Sequence, residues 1–327
     1  MSNYDRYAAI LLLYVLMNVS ASAQLLWSEP DPAGVSAWSW GPGGQEVAPR
    51  PPFQFVKEKM GGTNPKVEVS DAAGNSWTVK FGSEVHSDTF APRLLSALGY
   101  AAEPVFFVRS GSISGVHDLK RARHFISKDG SFHSASFKLH QDGTAPGANN
   151  VAWSWIDNPF LGSRELGGLK ILIMLTSNWD AKDARDGEGS NNKIIRSDFA
   201  ANSSPWFAVT DWGASFGKSG GFLKRDRWDW GGFREQTSSF VRLAPDGAPY
   251  WGFKGKHGRD ITAGVGLEDI RWLLPYLSRI TDEHLEAGLA ASGASASVAQ
   301  EFTRLIRERI LQLQRIAESS TLEKAVK

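Results

Sequence analysis

The sequence predicts an α+β fold in two lobes: a small β-rich N-lobe over residues 52–110 and a larger, mainly helical C-lobe over residues 111–327. Three observations predict it. Two alternating strands flank a turn at 66–81, and a short helix and a further strand follow them. An almost wholly apolar helix occupies 164–177. The chain then ends in amphipathic helices.

In the N-lobe, Lys66-Val67-Glu68-Val69 alternates polar and apolar residues as a half-buried strand does. Asp71-Ala72-Ala73-Gly74-Asn75 is turn chemistry, and Ser76 to Phe81 is the return strand of a hairpin. Phe90, Leu94, Leu95 and Leu98 recur at helical spacing over Thr89 to Leu98, with Gly99 as a stop. Ala102 to Val108 reads as another strand. Residues 110–160 carry Gly-Ser turns, a strand at Ser134 to Leu139 and a Gly-Asn loop at 143–150, and the lobe hinge is expected there.

In the C-lobe, Arg164 to Ser177 reads as a buried helix leading into Asn178-Trp179-Asp180. Phe207 to Thr210 is a short apolar strand that delivers Asp211 to a loop. Helices are predicted at Leu267 to Leu277 and Ser297 to Ile316. The latter places Val298, Phe302, Leu305, Ile306, Ile310 and Leu313 on one side, and Arg304, Arg307 and Arg309 are expected in solvent.

Composition narrows the classes of function. The chain has 42% hydrophobic and 22% charged residues, as a globular protein does. A formal net charge of +1 argues against nucleic acid as a partner. With no cysteine there is no disulfide, thiolate zinc site or cysteine nucleophile.

At the N-terminus, Arg6 precedes an apolar run from Ala8 to Val19, about twelve residues and too short for an ordinary span. Ala21-Ser22-Ala23 fits a small-x-small cleavage pattern, so residues 1–23 read as a signal peptide and the protein as exported, periplasmic or secreted. Residues 24–51 read as an irregular Pro/Gly/Trp-rich tether whose Trp27, Trp38 and Trp40 fold back onto the body. No later stretch is long and apolar enough for a membrane span.

Phosphoryl transfer needs phosphates held still, metal bridging them and a carboxylate near the attacking oxygen. Gly61, Gly62 and Thr63 precede the first hairpin strand, where glycine lets backbone N–H groups approach phosphate. Lys80 alternates with apolar neighbours in Trp77-Thr78-Val79-Lys80-Phe81. It either faces solvent or clamps phosphates, paired with Asp88 or, alternatively, Glu84. Asp88 equally suits a helix N-cap. Asp180, at a helix-to-loop junction, is placed to take a hydroxyl proton, and Lys182 to neutralise the moving phosphoryl group. Asp183 reads as salt-bridged support. Asp211, before Trp212-Gly213, offers hard oxygen to Mg²⁺.

These residues resemble those of the protein-kinase-like superfamily in its divergent bacterial branches. Gly61-Gly62-Thr63-Asn64-Pro65-Lys66 is similar to the phosphate loop of HipA-like kinases. Asn158-Pro159-Phe160, Asn178-Trp179-Asp180-x-Lys182-Asp183 and Asp211-x-Gly213-Ala214-Ser215-Phe216-Gly217 are similar to an exported bacterial group. The resemblance implies a two-lobed kinase-like fold, ATP with Mg²⁺ or Mn²⁺, and transfer of the γ-phosphate, or of AMP, to a hydroxyl acceptor. The family places a metal-ligating asparagine five residues after the catalytic aspartate, where this chain has Arg185. The insertion Asp186 to Ser190 intervenes, so the ligand role passes to Asn191 or Asn192.

Two other readings compete. The altered asparagine position and export suit a kinase-shaped binding protein without turnover. Thirteen tryptophans and paired acids such as Asp226 and Asp229 suit glycan binding or cleavage, although core packing also accounts for tryptophans. The seven histidines show no ligand spacing for zinc.

Overall fold

A computed structural model describes residues 25–31, 34–140, 151–196, 205–220 and 224–325. The signal-peptide reading, its cleavage site and the Gly-Asn loop at 143–150 lie outside these residues. The fold is α+β, with a β-barrel lobe followed by a mainly helical lobe, as the sequence predicts.

The barrel is built from β1 (Phe53–Lys59), β2 (Lys66–Ser70), β3 (Ser76–Phe81), β4 (Val105–Ser114) and β5 (Ser131–Leu139). Its order is β1-β2-β3-β5-β4, closed where β1 pairs parallel to β4 at Phe53↔Ile113 and Gln54↔Ser114. The hairpin is where the sequence puts it: Ser70 faces Ser76 and Lys66 faces Lys80. Asp71 fixes its turn by accepting from the N–H groups of Ala73 and Asn75, both at 2.9 Å. Val67, Val69, Trp77, Val79 and Phe81 are fully buried inside the barrel. Period-2 alternation therefore turns Lys66, Glu68, Thr78 and Lys80 outward. The pairing of β5 with β3 and β4 carries the barrel beyond residue 110.

The helix predicted at Thr89 is α2 (Val85–Ala97), which begins four residues earlier, and the strand predicted at Ala102 is β4, which begins at Val105. The segment 24–51 is less irregular than expected, because Val35–Trp40 forms a helix, α1. Arg93 of α2 donates to the carbonyls of Trp38, Ser39 and Trp40 and so fastens α1 to the body. Trp38 is buried, and Trp27 donates to the Leu98 carbonyl at 2.7 Å. Trp40 stays 37% exposed and does not fold back as expected.

The helical lobe packs α3 (Arg164–Leu175), α4 (Trp230–Thr237), α5 (Gly258–Thr262), α6 (Leu267–Ser278), α7 (Asp282–Ala291) and α8 (Ala296–Ala325) around one core. Two glycines let α3 sit close to its neighbours. A Cβ on Gly167 would lie 2.4 Å from an Asp269 oxygen, and one on Gly168 2.3 Å from the Tyr100 hydroxyl. The antiparallel pair β6 (Asn192–Arg196) and β7 (Pro205–Val209) stands before the Asp211 loop.

Arg309 departs most from its predicted place. It is 1% exposed rather than in solvent, because helical spacing from Leu305 and Ile306 carries it onto the buried face. Arg304 is in solvent as predicted, while Arg307 is half-buried beside Asp282. Among the described residues no helix is long and apolar enough to cross a membrane.

Candidate functional site

The outward side of β3 is covered, not solvated. α2 and the Asp211 loop close over it, and the Lys80 ammonium meets three carboxylates there. Asp88 Oδ2 is at 2.5 Å, Glu84 Oε2 at 3.1 Å and Asp211 Oδ1 at 3.9 Å. Both acids left open as partners for Lys80 are thus used, and Asp88 makes its ion pair inside the first turn instead of capping the helix.

Gly213 makes the third carboxylate's approach possible. A Cβ there would lie 2.7 Å from Glu84 Cδ, so any larger residue would displace the Glu84 side chain. The Gly213 N–H also donates to Asp211 Oδ1 at 3.1 Å. Ser87 donates to the Gly213 carbonyl at 2.9 Å. Glu84 reaches a second cation, Arg227, at 3.1 Å.

This crowding sets the electrostatics. Burial alone would depress the Lys80 ammonium, but Asp211, Asp88 and Glu84 hold it well above its usual range. Asp88 is pushed up to about 7, first by burial and then by the charges of Asp211 and Glu84, against the pull of Lys80. Asp211 goes the other way. Burial would raise it, yet Lys80, the Gly213 N–H, Lys138 and Lys182 bring it down to about 2.

The cleft holds about 510 Å³, within the range of small-ligand sites. Four lysines line it: Lys59, Lys66, Lys80 and Lys138. Lys59 is paired with Glu68 at 2.7 Å and Lys138 with Glu103 at 2.5 Å. Lys66 has no carboxylate at salt-bridge distance among the described residues. Burial and the neighbouring Lys80 and Lys59 lower its pKa. The sequence carries a signal for it, since a turn at 71–75 with Ser70 facing Ser76 sets Lys66 opposite Lys80.

Asp180 and Lys182, the predicted catalytic pair, form an ion pair at 2.7 Å. Asn178, fully buried, donates to the Asp211 carbonyl at 3.2 Å and accepts from the Asp180 N–H at 3.3 Å, so it ties the two loops together. Asn191 lines the cleft beside Asp211, and its amide donates to the Asp180 carbonyl at 2.6 Å. Asn192 is not among the lining residues. It is fully buried opposite Val209, with neither amide atom hydrogen-bonded among the described residues. Gly61, Gly62 and Thr63 sit exposed in the β1–β2 turn, outside the cleft lining. Arg121 fixes that turn by donating to the carbonyls of Met60 and Thr63 at 2.8 and 2.6 Å.

Asp183 is the support it was expected to be. Fully buried, it accepts from the Trp155 N–H at 3.0 Å and pairs with Arg185 at 2.6 Å. Arg185 also reaches Asp260 at 2.7 Å. Eight tryptophans are buried and, of the rest, Trp40 and Trp230 are the exposed ones, which leaves few faces for sugar stacking. Asp229 is spent as the N-cap of α4.

No protein-family model matches the chain, and no curated protein matches it. Among solved structures, one described as the Golgi casein kinase with Mn/ADP bound is similar at 10% identity. The match covers 84% of this chain and 74% of that one, with a TM-score of 0.41. Another, of the Golgi casein kinase, has 10% identity, the same coverage and a TM-score of 0.40. Overlap this loose carries no argument about chemistry, and the chemistry has to be read from the site's own residues.

Proposed function

We propose that this chain is an exported, metal-dependent phosphotransferase of the protein-kinase-like kind, moving the γ-phosphate of ATP, or its AMP, to a hydroxyl acceptor. One observation carries the reading. A strand ammonium and a loop carboxylate from the two lobes, Lys80 and Asp211, lie 3.9 Å apart in a shared lysine-lined cleft.

The residues fit a divalent cation. Ligand oxygens of Glu84, Asp88 and Asp211 lie within 4.8 Å of one another. They are hard donors of the kind Mg²⁺ and Mn²⁺ take. Asp88 is raised first by burial, and the charges of Asp211 and Glu84 add to it against Lys80. Asp211 would hold the ion, with Asn191 and Asp88 beside it, and the ion when bound neutralises phosphate charge. Lys80 and Lys66 orient the phosphates. Asp180 would accept the acceptor's hydroxyl proton, and Lys182, paired with Asp180 at 2.7 Å, would neutralise the transferring group.

Thermal unfolding with ATP, ADP and Mn²⁺ tests the binding step, and transfer of radiolabelled γ-phosphate tests turnover. At a hundred times Kd, nucleotide stabilises by about 2.7 kcal/mol. A melting temperature that no nucleotide–metal pair moves would reject the reading. Binding without transfer would favour the second reading, a kinase-shaped binding protein. That reading is supported by Arg185, which stands where the family places a metal ligand and is consumed by Asp183 and Asp260.

The cleft also predicts a pH dependence. Asp88 titrates near 7 when folded and near 4 when unfolded. Between those values the folded state keeps a proton the unfolded chain has released. This contribution to stability is fully present below about pH 4 and lost as pH rises through about 7. The wild type should therefore lose more stability than Asp88→Asn between pH 5 and 8, by a few kcal/mol on the order of the shift. Parallel urea midpoints for the two proteins over that range would contradict the assignment.

A further inference from the structure

A second cavity, of about 420 Å³, opens on the side of α3 between the segment 155–164 and the loop that joins α5 to α6. Its distinguishing residue is Lys170. The side chain is only 7% exposed, yet its ammonium makes one hydrogen bond among the described residues, to the Ala263 carbonyl at 3.2 Å. An ammonium has three donors to satisfy.

The other charges around it are already matched. Arg164 pairs with Asp269 at 3.5 Å, and Asp260 pairs with Arg185 at 2.7 Å. Lys170 is left as a buried cation without a carboxylate at salt-bridge distance among the described residues. Burial pulls its pKa down, with Asp260 and Asp269 only partly offsetting it. A buried cation without a paired anion is costly and is ordinarily compensated.

Part of the lining is apolar, beside Ser163, Arg164, Asp260 and Asp269. Trp155 is buried in the wall, while Ile156 and Leu161 stand 53% and 54% exposed at the rim. We propose that this cavity binds a small monocarboxylate with an apolar body, its carboxylate on Lys170 and its chain against Trp155, Ile156 and Leu161. A monoanion suits the single free ammonium. Asp260 and Asp269 on the same wall would repel a dianionic phosphate more strongly than a monoanion. The cavity is separate from the lysine-lined cleft, and the assignment does not depend on phosphotransfer. It does share structure with the loop at 180–185: the Trp155 indole N–H donates to the Ala181 carbonyl at 3.1 Å, and Asp260 holds Arg185.

Octanoate is the probe, titrated calorimetrically into the full chain, with octanol and acetate as controls for charge and for the apolar body. Octanoate should bind, and neither control should. Lys170→Gln should weaken octanoate at least about tenfold, the scale of one charge-assisted hydrogen bond, and Lys170→Arg should stay within about threefold. Leu161→Glu, at an exposed position that folding does not depend on, should weaken octanoate as well while leaving the melting temperature in place. The proposal is overturned if octanoate does not bind the wild type at millimolar concentration, or if both Lys170→Gln and Leu161→Glu bind it as the wild type does. It is equally overturned if Lys66→Gln abolishes binding and Lys170→Gln does not, since that would put the anion in the cleft.

Discussion

Asp211→Asn should abolish the nucleotide- and Mn²⁺-dependent rise in melting temperature and reduce phosphoryl transfer by at least about a hundred- to a thousandfold. The substitution is close to isosteric, and its side-chain oxygen can still accept from the Gly213 N–H, which lies 3.1 Å from the native carboxylate. The loop therefore keeps its shape and loses only charge. That charge is what the site is built to maintain. Lys80, Lys138, Lys182 and the Gly213 N–H keep Asp211 ionised down to about pH 2, with its side chain 43% exposed in the cleft. With the charge gone, Lys80 is left to Asp88 and Glu84, and the pKa of Asp88 should fall, since Asp211 is one of the charges raising it. A single variant thus has two independent readouts: lost nucleotide binding and a flatter stability profile between pH 5 and 8. Undiminished nucleotide binding by Asp211→Asn would remove the metal role from this residue and the support for phosphotransfer with it.

The parts of the site that could be read from the sequence are those set by local rules. Turn chemistry at Asp71 to Asn75 fixes the register of the hairpin, and register alone brings Lys66 and Lys80 side by side. An apolar strand ending in Asp-x-Gly delivers a carboxylate to a tight turn. What stayed hidden depends on partners distant in the chain. Alternation shows that Lys80 lies on the outer face of the barrel, but not that α2 and the Asp211 loop cover that face. For the same reason Asp88 suits a helix N-cap in sequence, while in the fold Ser87 and Asp88 are buried and Ser87 donates to the Gly213 carbonyl. Barrel closure rests on two residue pairs between β1 and β4, and no local pattern announces them. Arg185 reads in sequence only as a lost metal ligand. In the fold it neutralises Asp183, whose carboxylate is wholly buried and holds the Trp155 N–H.

Arg309 makes the largest stability prediction. From α8 it donates to the carbonyls of Met174 and Leu175 at 3.1 and 2.8 Å, to the Ser177 hydroxyl at 2.8 Å, to the Thr237 hydroxyl at 2.8 Å and to the Phe233 carbonyl at 3.0 Å. Its guanidinium lies 3.7 Å from the Phe233 ring centre. The first two carbonyls belong to the C-terminal end of α3, where helical donors run out; Met174 still takes the Ser177 N–H. Just beyond them the chain reaches Asn178 and then Asp180, so Arg309 anchors the base of the candidate catalytic segment. Arg309→Met preserves most of the apolar stem and removes every donor; Met174 keeps the Ser177 N–H and Phe233 the Thr237 hydroxyl, while the Leu175 carbonyl and the Ser177 and Thr237 hydroxyl oxygens lose the donor they have here. At about 1–3 kcal/mol for each unsatisfied buried group, some relieved by water, the loss should be about 3–5 kcal/mol. Arg309→Lys should recover only a minor part of it, because one ammonium cannot span acceptors arranged around a planar fork. Urea unfolding measures both variants. A loss below about 1 kcal/mol for Arg309→Met would mean that the end of α3 is satisfied without the guanidinium. The periodicity of α8 already held this information: Phe302, Leu305, Ile306, Ile310 and Leu313 define the buried stripe, and position 309 falls inside it whatever the charge of its side chain.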